Sequence, residues 1–357
     1  MSGSTKSRAQ SRSQALSIVR ILFFASSLYP SATLLAQRSP FNGLEVLPAD
    51  STGQYRILIG GHFHGESSNR SGYPASTLLA NLDTINALGA QLFLSTGDLY
   101  MDARKDSARY ARALFSKLNV PFFNAPGNHD LKPYAGDMYM ELGRIQHGSD
   151  LLFIMNTELN DGTLSDKALG QLRSVNEPHS GFAPGRVFII SHRPIWAEDD
   201  PRYSDLFKDN TRSLTGTNFR KEVFPILQRI AEHSQVYWIS GSLGGQAPSS
   251  IFFQKHAPNI TYIQCAIRDE PRDALLIADV HPDTVKWSAI SLTGQELQAP
   301  EAYDAAWWRA QSGRGEGFNW RLLPYLIKRT LTRSEFWWGA AFAIVLVSLV
   351  RRLYHRW

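Results

Sequence analysis

Four short apolar runs in this sequence each end in side chains able to bind a metal. Ile57-Leu58-Ile59 leads into Gly60, Gly61, His62, Phe63, His64 and Gly65, and Leu92-Phe93-Leu94 precedes Gly97 and Asp98. Phe122-Phe123 leads to Gly127, Asn128, His129 and Asp130, and Val187 to Ile190 leads to Ser191, His192, Arg193 and Pro194. On an extended backbone, side chains two apart share a side, so the rings of His62 and His64 would face one ion. Asp98 offers two oxygens and could bridge two ions. Imidazole with carboxylate suits Mn, Fe or Zn, so one or two divalent transition-metal ions are expected. The glycines let the backbone turn sharply beneath an ion.

Those residues need a frame. Tyr55 to Gly60, Gln91 to Ser95, Val120 to Ala125, Leu151 to Asn156, Val187 to Ser191 and Val236 to Ser240 read as strands. Ser76 to Leu88, Lys105 to Leu118, Ser165 to Val175 and Asn218 to Glu232 carry apolar residues at helical spacing. After Gly245 the pattern is all strand: Ser250 to Phe253, Ile260 to Ala266, Ala274 to Asp279 and Thr284 to Ser291. The fold class is therefore α/β, two packed sheets covered by helices. In such folds the residues just after a strand stand at the sheet edge, where ligands bind.

The order of these motifs resembles the calcineurin-like metallophosphoesterase family over about Ile57 to Val280, with Gly127-Asn128-His129-Asp130 as the most specific piece. The resemblance implies a four-layer αββα sandwich of two mixed β-sheets. It implies a phosphate mono- or diester substrate hydrolysed by water activated on metal. Asp98 would bridge two ions, His64 would serve the first, and Asn128 and His192 the second. His129 would be general acid or phosphate contact, with Asp130 orienting its imidazole and Arg193 adding a cation beside the phosphate.

Two departures stand out. The family's opening Asp-x-His is here His62-Phe63-His64, and its closing Gly-His-x-His is Gly241-Ser242-Leu243-Gly244. His62, His64 and Asp98 remain for one ion, and Asp98, Asn128 and His192 for the other, enough for catalytic sites completed by water. The lost imidazoles leave a second reading open, a non-catalytic member of the fold acting in binding or assembly. A metal oxygenase rests only on the count of two histidines and one carboxylate.

The net charge of +5 does not point to nucleic acid, because the basic residues cluster at the ends. Residues 1–36 hold Lys6, Arg8, Arg12 and Arg20 before an apolar stretch ending at Ala36, which reads as a signal peptide or N-terminal anchor. Residues 37–54 read as a linker and 55–295 as the phosphoesterase domain. Residues 296–333 read as a basic, aromatic juxtamembrane segment with Trp307 and Trp308 as interface anchors. Residues 334–352 read as a transmembrane helix, a single-pass anchor, and 353–357 as a basic tail; basic residues lie on both sides of that helix, so the N-terminal signal sets the orientation and the body is expected outside the cytoplasm. A lipid-linked, sugar-linked or nucleotide phosphate would suit that place. Cys265, the only cysteine, excludes an internal disulfide and a thiolate metal cluster.

Overall fold

The computed structural model describes residues 37–131, 142–176, 184–198, 200–207, 216–311, 327, 330–332 and 334–354. The chain divides into Met1–Leu35 and Ala36–Trp357. The first unit, with the signal-peptide reading, lies outside the described residues; the strands and helices described all belong to the second.

Eleven strands form two mixed sheets among the described residues. The first has the order β11 (Val285–Ser291), β10 (Ala274–Val280), β1 (Tyr55–Gly60), β2 (Leu92–Ser95), β3 (Phe122–Asn124). The second has the order β4 (Leu142–His147), β5 (Asp150–Met155), β6 (Arg186–Ile190), β7 (Gln235–Ser240), β9 (Ile260–Cys265), β8 (Ile251–Ala257). β1, β2 and β3 run parallel, as do β5, β6, β7 and β9, while the remaining pairings are antiparallel.

Alternation along β1 shows how the layers stack. Ile57 and Ile59 join the core that also takes Phe153, Ile189 and Trp238 of the second sheet. Leu58 faces the other way, into a cluster with Leu78, Leu82, Ile85 and Tyr110. Those residues belong to α1 (Ser76–Ala80), α2 (Leu82–Ala87) and α3 (Ala103–Ala113). Across the molecule, Leu172 of α4 (Asp166–Arg173) and Ile226, Leu227 and Ile230 of α6 (Phe224–Ala231) pack on the second sheet's side. α5 (Ile195–Glu198) follows β6. The expected pair of sheets flanked by helices is present.

The expected helix over 76–88 is divided at Asn81, whose Nδ2 donates to the carbonyls of Thr77 and Leu292. β4 is an unexpected strand. Its sequence, LGRIQH, buries only Leu142, Ile145 and His147, without the alternation that would mark a strand.

The C-terminal region departs most from expectation. Trp308, in α7 (Ala305–Gln311), is buried; it packs on Phe207 and Phe252 and donates from Nε1 to the Ile251 carbonyl at 3.0 Å. It is a core residue of the sandwich, with Trp307 stacked edge-on against Tyr303. The last apolar run forms α8 (Ser334–Tyr354), 21 residues long. Among the described residues no helix is long and apolar enough to cross a membrane, so the C-terminal single-pass anchor and the membrane location resting on it are withdrawn, while the N-terminal segment behind the extracytoplasmic placement lies outside the described residues. The physical reason is length. Between Glu335 and Arg351 only 15 uncharged residues remain, a rise of about 22 Å against a hydrocarbon core of about 30 Å.

Candidate metal centre

The ends of parallel strands from both sheets meet here. His62 and His64 follow β1, Asp98 follows β2, and Gly127 to Asp130 follow β3 of the first sheet. His192 follows β6 of the second. Both His62 and Asp98 have left-handed backbone, with φ of 59° and 55°. Non-glycine residues rarely adopt that conformation, and it turns each side chain back over the strand ends. The backbone interlaces beneath them: the His62 N–H donates to the Gly97 carbonyl at 2.7 Å.

Asp98 is the hub. Its Oδ2 lies 3.4 Å from Nε2 of His192, 3.8 Å from Nε2 of His64 and 3.9 Å from Nε2 of His62. The ligand atoms of His62, His64 and Asp98 fall within 4.8 Å of one another. Oδ1 accepts the backbone N–H of His129 at 3.0 Å, which fixes the carboxylate's rotation. Gly127 has to be glycine: a β-carbon there would stand 2.2 Å from Asp98 Oδ1.

The protonation of this cluster suits a cation. Burial alone would raise the Asp98 pKa, but His192, His64 and His129 bring it well below the usual carboxylate range. Burial pushes the His62 pKa well down, helped by the charge of His64. His192 Nδ1 donates to the Thr96 carbonyl at 2.9 Å, so its Nε2 carries the lone pair toward Asp98. That Nε2, both ring nitrogens of His64, and Nδ1 of His62 are buried without a hydrogen-bond partner. Buried polar atoms seldom stay unsatisfied, and a divalent ion would satisfy the imidazole lone pairs turned toward Asp98. The donor set therefore fits a transition metal.

Asn128 and His129, both half-buried, lie on the loop over this cluster. The His129 ring sits 4.9 Å from the ring of His64, and its Nδ1 lies 3.3 Å from the Met101 carbonyl. Asp130 has contacts other than those the resemblance implied. Its fully buried carboxylate accepts the backbone N–H groups of Asp98, Leu99, Tyr100 and Gly127 and the side-chain amide of Asn124, at 2.9 to 3.3 Å. It clamps the Asp98 loop to the Gly127 loop. Burial and the Asp98 charge push its pKa up, while its N–H donors pull it back.

Arg193 also has other partners. It is 1% exposed, and its guanidinium forms a fork on Glu198 and reaches Asp161 at 3.1 Å. That fork holds α5 to the strand end it follows. His256 lies on β8 beside Tyr203, Arg202 and Tyr262.

The cation that sequence reasoning missed is Arg268, three residues past β9. Its Nη1 lies 3.3 Å from Nε2 of His62 and 3.3 Å from the Leu243 carbonyl. The only signal for it was a charge just after a strand end. Leu243 sits in the loop that replaces the closing histidines, where Gly241 N and Ser242 N both donate to the His192 carbonyl.

The calcineurin-like phosphoesterase family profile matches residues 56–256, more than half of the chain. The chain belongs to the calcineurin-like phosphoesterase family. Among solved structures it is similar to a dimetal phosphatase from Danio rerio, with 13% identity and a TM-score of 0.46, covering 67% of this chain and 96% of that one. It is also similar to Vps29 from Entamoeba histolytica in complex with zinc, with 14% identity, a TM-score of 0.30, and coverage of 66% and 99%. A third is the phosphoesterase Yfce from E. coli, with 9% identity, a TM-score of 0.29, and coverage of 66% and 99%. No curated protein matches the chain significantly.

Proposed function

We propose that this protein hydrolyses a phosphate mono- or diester, using a divalent transition metal held at Asp98 by the histidines around it, with Asn128 on the adjoining loop. One observation carries the reading: buried imidazole nitrogens without partners surround Oδ2 of an ionised Asp98. A bound ion would supply Lewis acidity toward the phosphoryl oxygens. The chain's own residues do the rest. Thr96 fixes the tautomer of His192, and Asp130 holds the Asp98 and Gly127 loops in register. Nδ1 of His129 donates to the Met101 carbonyl, so the proton the ring takes up and gives away is the one on Nε2 of the imidazolium. As a water oxygen bonds to phosphorus and the ester P–O bond breaks, the His129 imidazolium gives its Nε2 proton to the departing alcohol oxygen, while the proton lost by the water is released to solvent, from which the imidazolium is restored.

The test is to dialyse the purified protein against Mn, Fe or Zn, measure bound metal, and assay p-nitrophenyl phosphate and its bis-ester. Metal-dependent release of nitrophenol from either supports the proposal. A protein that retains no ion under any of these conditions is better read as a non-catalytic member of the fold. The absence of imidazoles at Ser242 and Gly244 favours that second reading.

A further inference from the structure

Both departures from the family's motif pattern meet at one side chain. His62 replaces the opening aspartate, the loop of Leu243 replaces the closing histidines, and Arg268 touches both at 3.3 Å. A guanidinium has only donors, so His62 Nε2 must be the acceptor of that contact. This lone pair is the one that would otherwise reach a metal beside Asp98, since the same Nε2 lies 3.9 Å from Oδ2. The two other imidazoles differ: His64 and His192 keep unpartnered Nε2 atoms at 3.8 and 3.4 Å from Oδ2.

The rest of the Arg268 environment holds it in place. Its side chain is 11% exposed, its Nε lies 3.5 Å from Glu270, and its Nη2 lies 3.3 Å from Ser67 Oγ. Arg272 braces the same loop, donating to the carbonyls of Ser249 at 2.8 Å and Gly244 at 3.4 Å. The position is built from both sides, and it puts a fixed positive charge at the His62 end of the cluster. A second divalent ion there would have to displace the guanidinium from His62 and accept its charge a few ångströms away.

We propose that Arg268 takes the place of one of the two cations, so that the centre holds a single divalent ion at Asp98. In this arrangement Arg268 supplies the second positive charge and binds a phosphate oxygen of the substrate. A planar fork of donors suits phosphate, and the substitution keeps a local positive charge with one metal fewer. The inference rests on the metal-dependent reading above.

The experiment uses the full chain and counts ions without relying on turnover. The protein is equilibrated with Mn(II), the bound metal is measured by elemental analysis, and the electron paramagnetic resonance spectrum is recorded. Wild type is expected to bind one equivalent with the spectrum of an isolated Mn(II). Arg268→Met, similar in volume and uncharged, is expected to take up a second equivalent with exchange coupling, and to bind inorganic phosphate at least about tenfold more weakly. Arg268→Lys keeps the charge and should stay at one equivalent, which separates charge from loop damage. Two coupled ions in wild type would overturn the role of Arg268 and leave the hydrolase reading standing. One ion in both wild type and Arg268→Met, with unchanged phosphate affinity, would overturn it too. No ion in wild type would instead remove the metal-dependent reading itself.

Discussion

Nε2 of His192 lies 3.4 Å from Oδ2 of Asp98, although the two residues follow strands in different sheets. The carbonyl of Thr96, two residues before Asp98, accepts from the other nitrogen of the same ring. The geometry between the sheets is thereby written into one imidazole. Asp98→Ala should abolish metal binding, because it removes the oxygen that all three histidines face. Asn128→Ala should weaken binding and leave it measurable. Titration calorimetry with Mn(II) separates the two, and an Asp98→Ala protein that binds like its parent contradicts the assignment.

His129→Ala should leave metal content unchanged and lower turnover by about 10²- to 10⁴-fold, the usual worth of a positioned proton donor. Equal metal occupancy with equal turnover would remove His129 from the chemistry.

Asp130→Ala should act on stability first. It strips the acceptor from four backbone N–H groups and one amide, all in buried surroundings. Each orphaned buried donor costs about 1–3 kcal/mol, so a loss of about 3 kcal/mol or more is expected. Urea unfolding measures it, and metal affinity should fall with it as the Asp98 loop loosens.

Arg193→Ala should destabilise the protein by about 3–5 kcal/mol, because Glu198 would be left as a buried, uncompensated charge. The double change Arg193→Leu with Glu198→Leu should recover much of that loss. KM for an aryl phosphate should move less than about twofold at a temperature where the variant is folded. A large KM change with unchanged stability would return Arg193 to the substrate.

Acidification should weaken the fold through His256. Burial, with Arg202 nearby, lowers the pKa of His256 from 6.5 to about 4 in the folded protein. Between those values the unfolded chain binds a proton that the folded chain refuses, so this stability is complete above pH 6.5 and drains away toward pH 4. The urea midpoint should fall between about pH 7 and about pH 5, and His256→Gln should flatten that fall. A variant as pH-sensitive as its parent would place the effect on another group.

The strand ends were legible because chemistry and local pattern coincide there. Short β-branched and aromatic runs are followed within a few residues by histidine, aspartate or asparagine, in three of the four cases just after a glycine. Arg193 too follows a strand end, and the sequence does not show its ion-pair partners. What decides its role is Glu198, which α5 folds back onto it. Arg268 was illegible: it has meaning only once β9 lies beside β7 and brings it to His62 and Leu243. Trp308 looked like an interface residue beside basic sequence, yet β8 supplies the carbonyl that its indole needs.

Because Asp98 belongs to one sheet and His192 to the other, an ion gripped by both would be a rivet through the sandwich. Metal affinity and the cohesion of the two halves then become one thermodynamic quantity. An ion present at about a hundred times its dissociation constant adds about 2.7 kcal/mol to the folded state. A chelator would therefore soften the seam between the sheets as it empties the site, with hydrogen exchange quickening first in β2 and β6, the strands that lead into the two ligands.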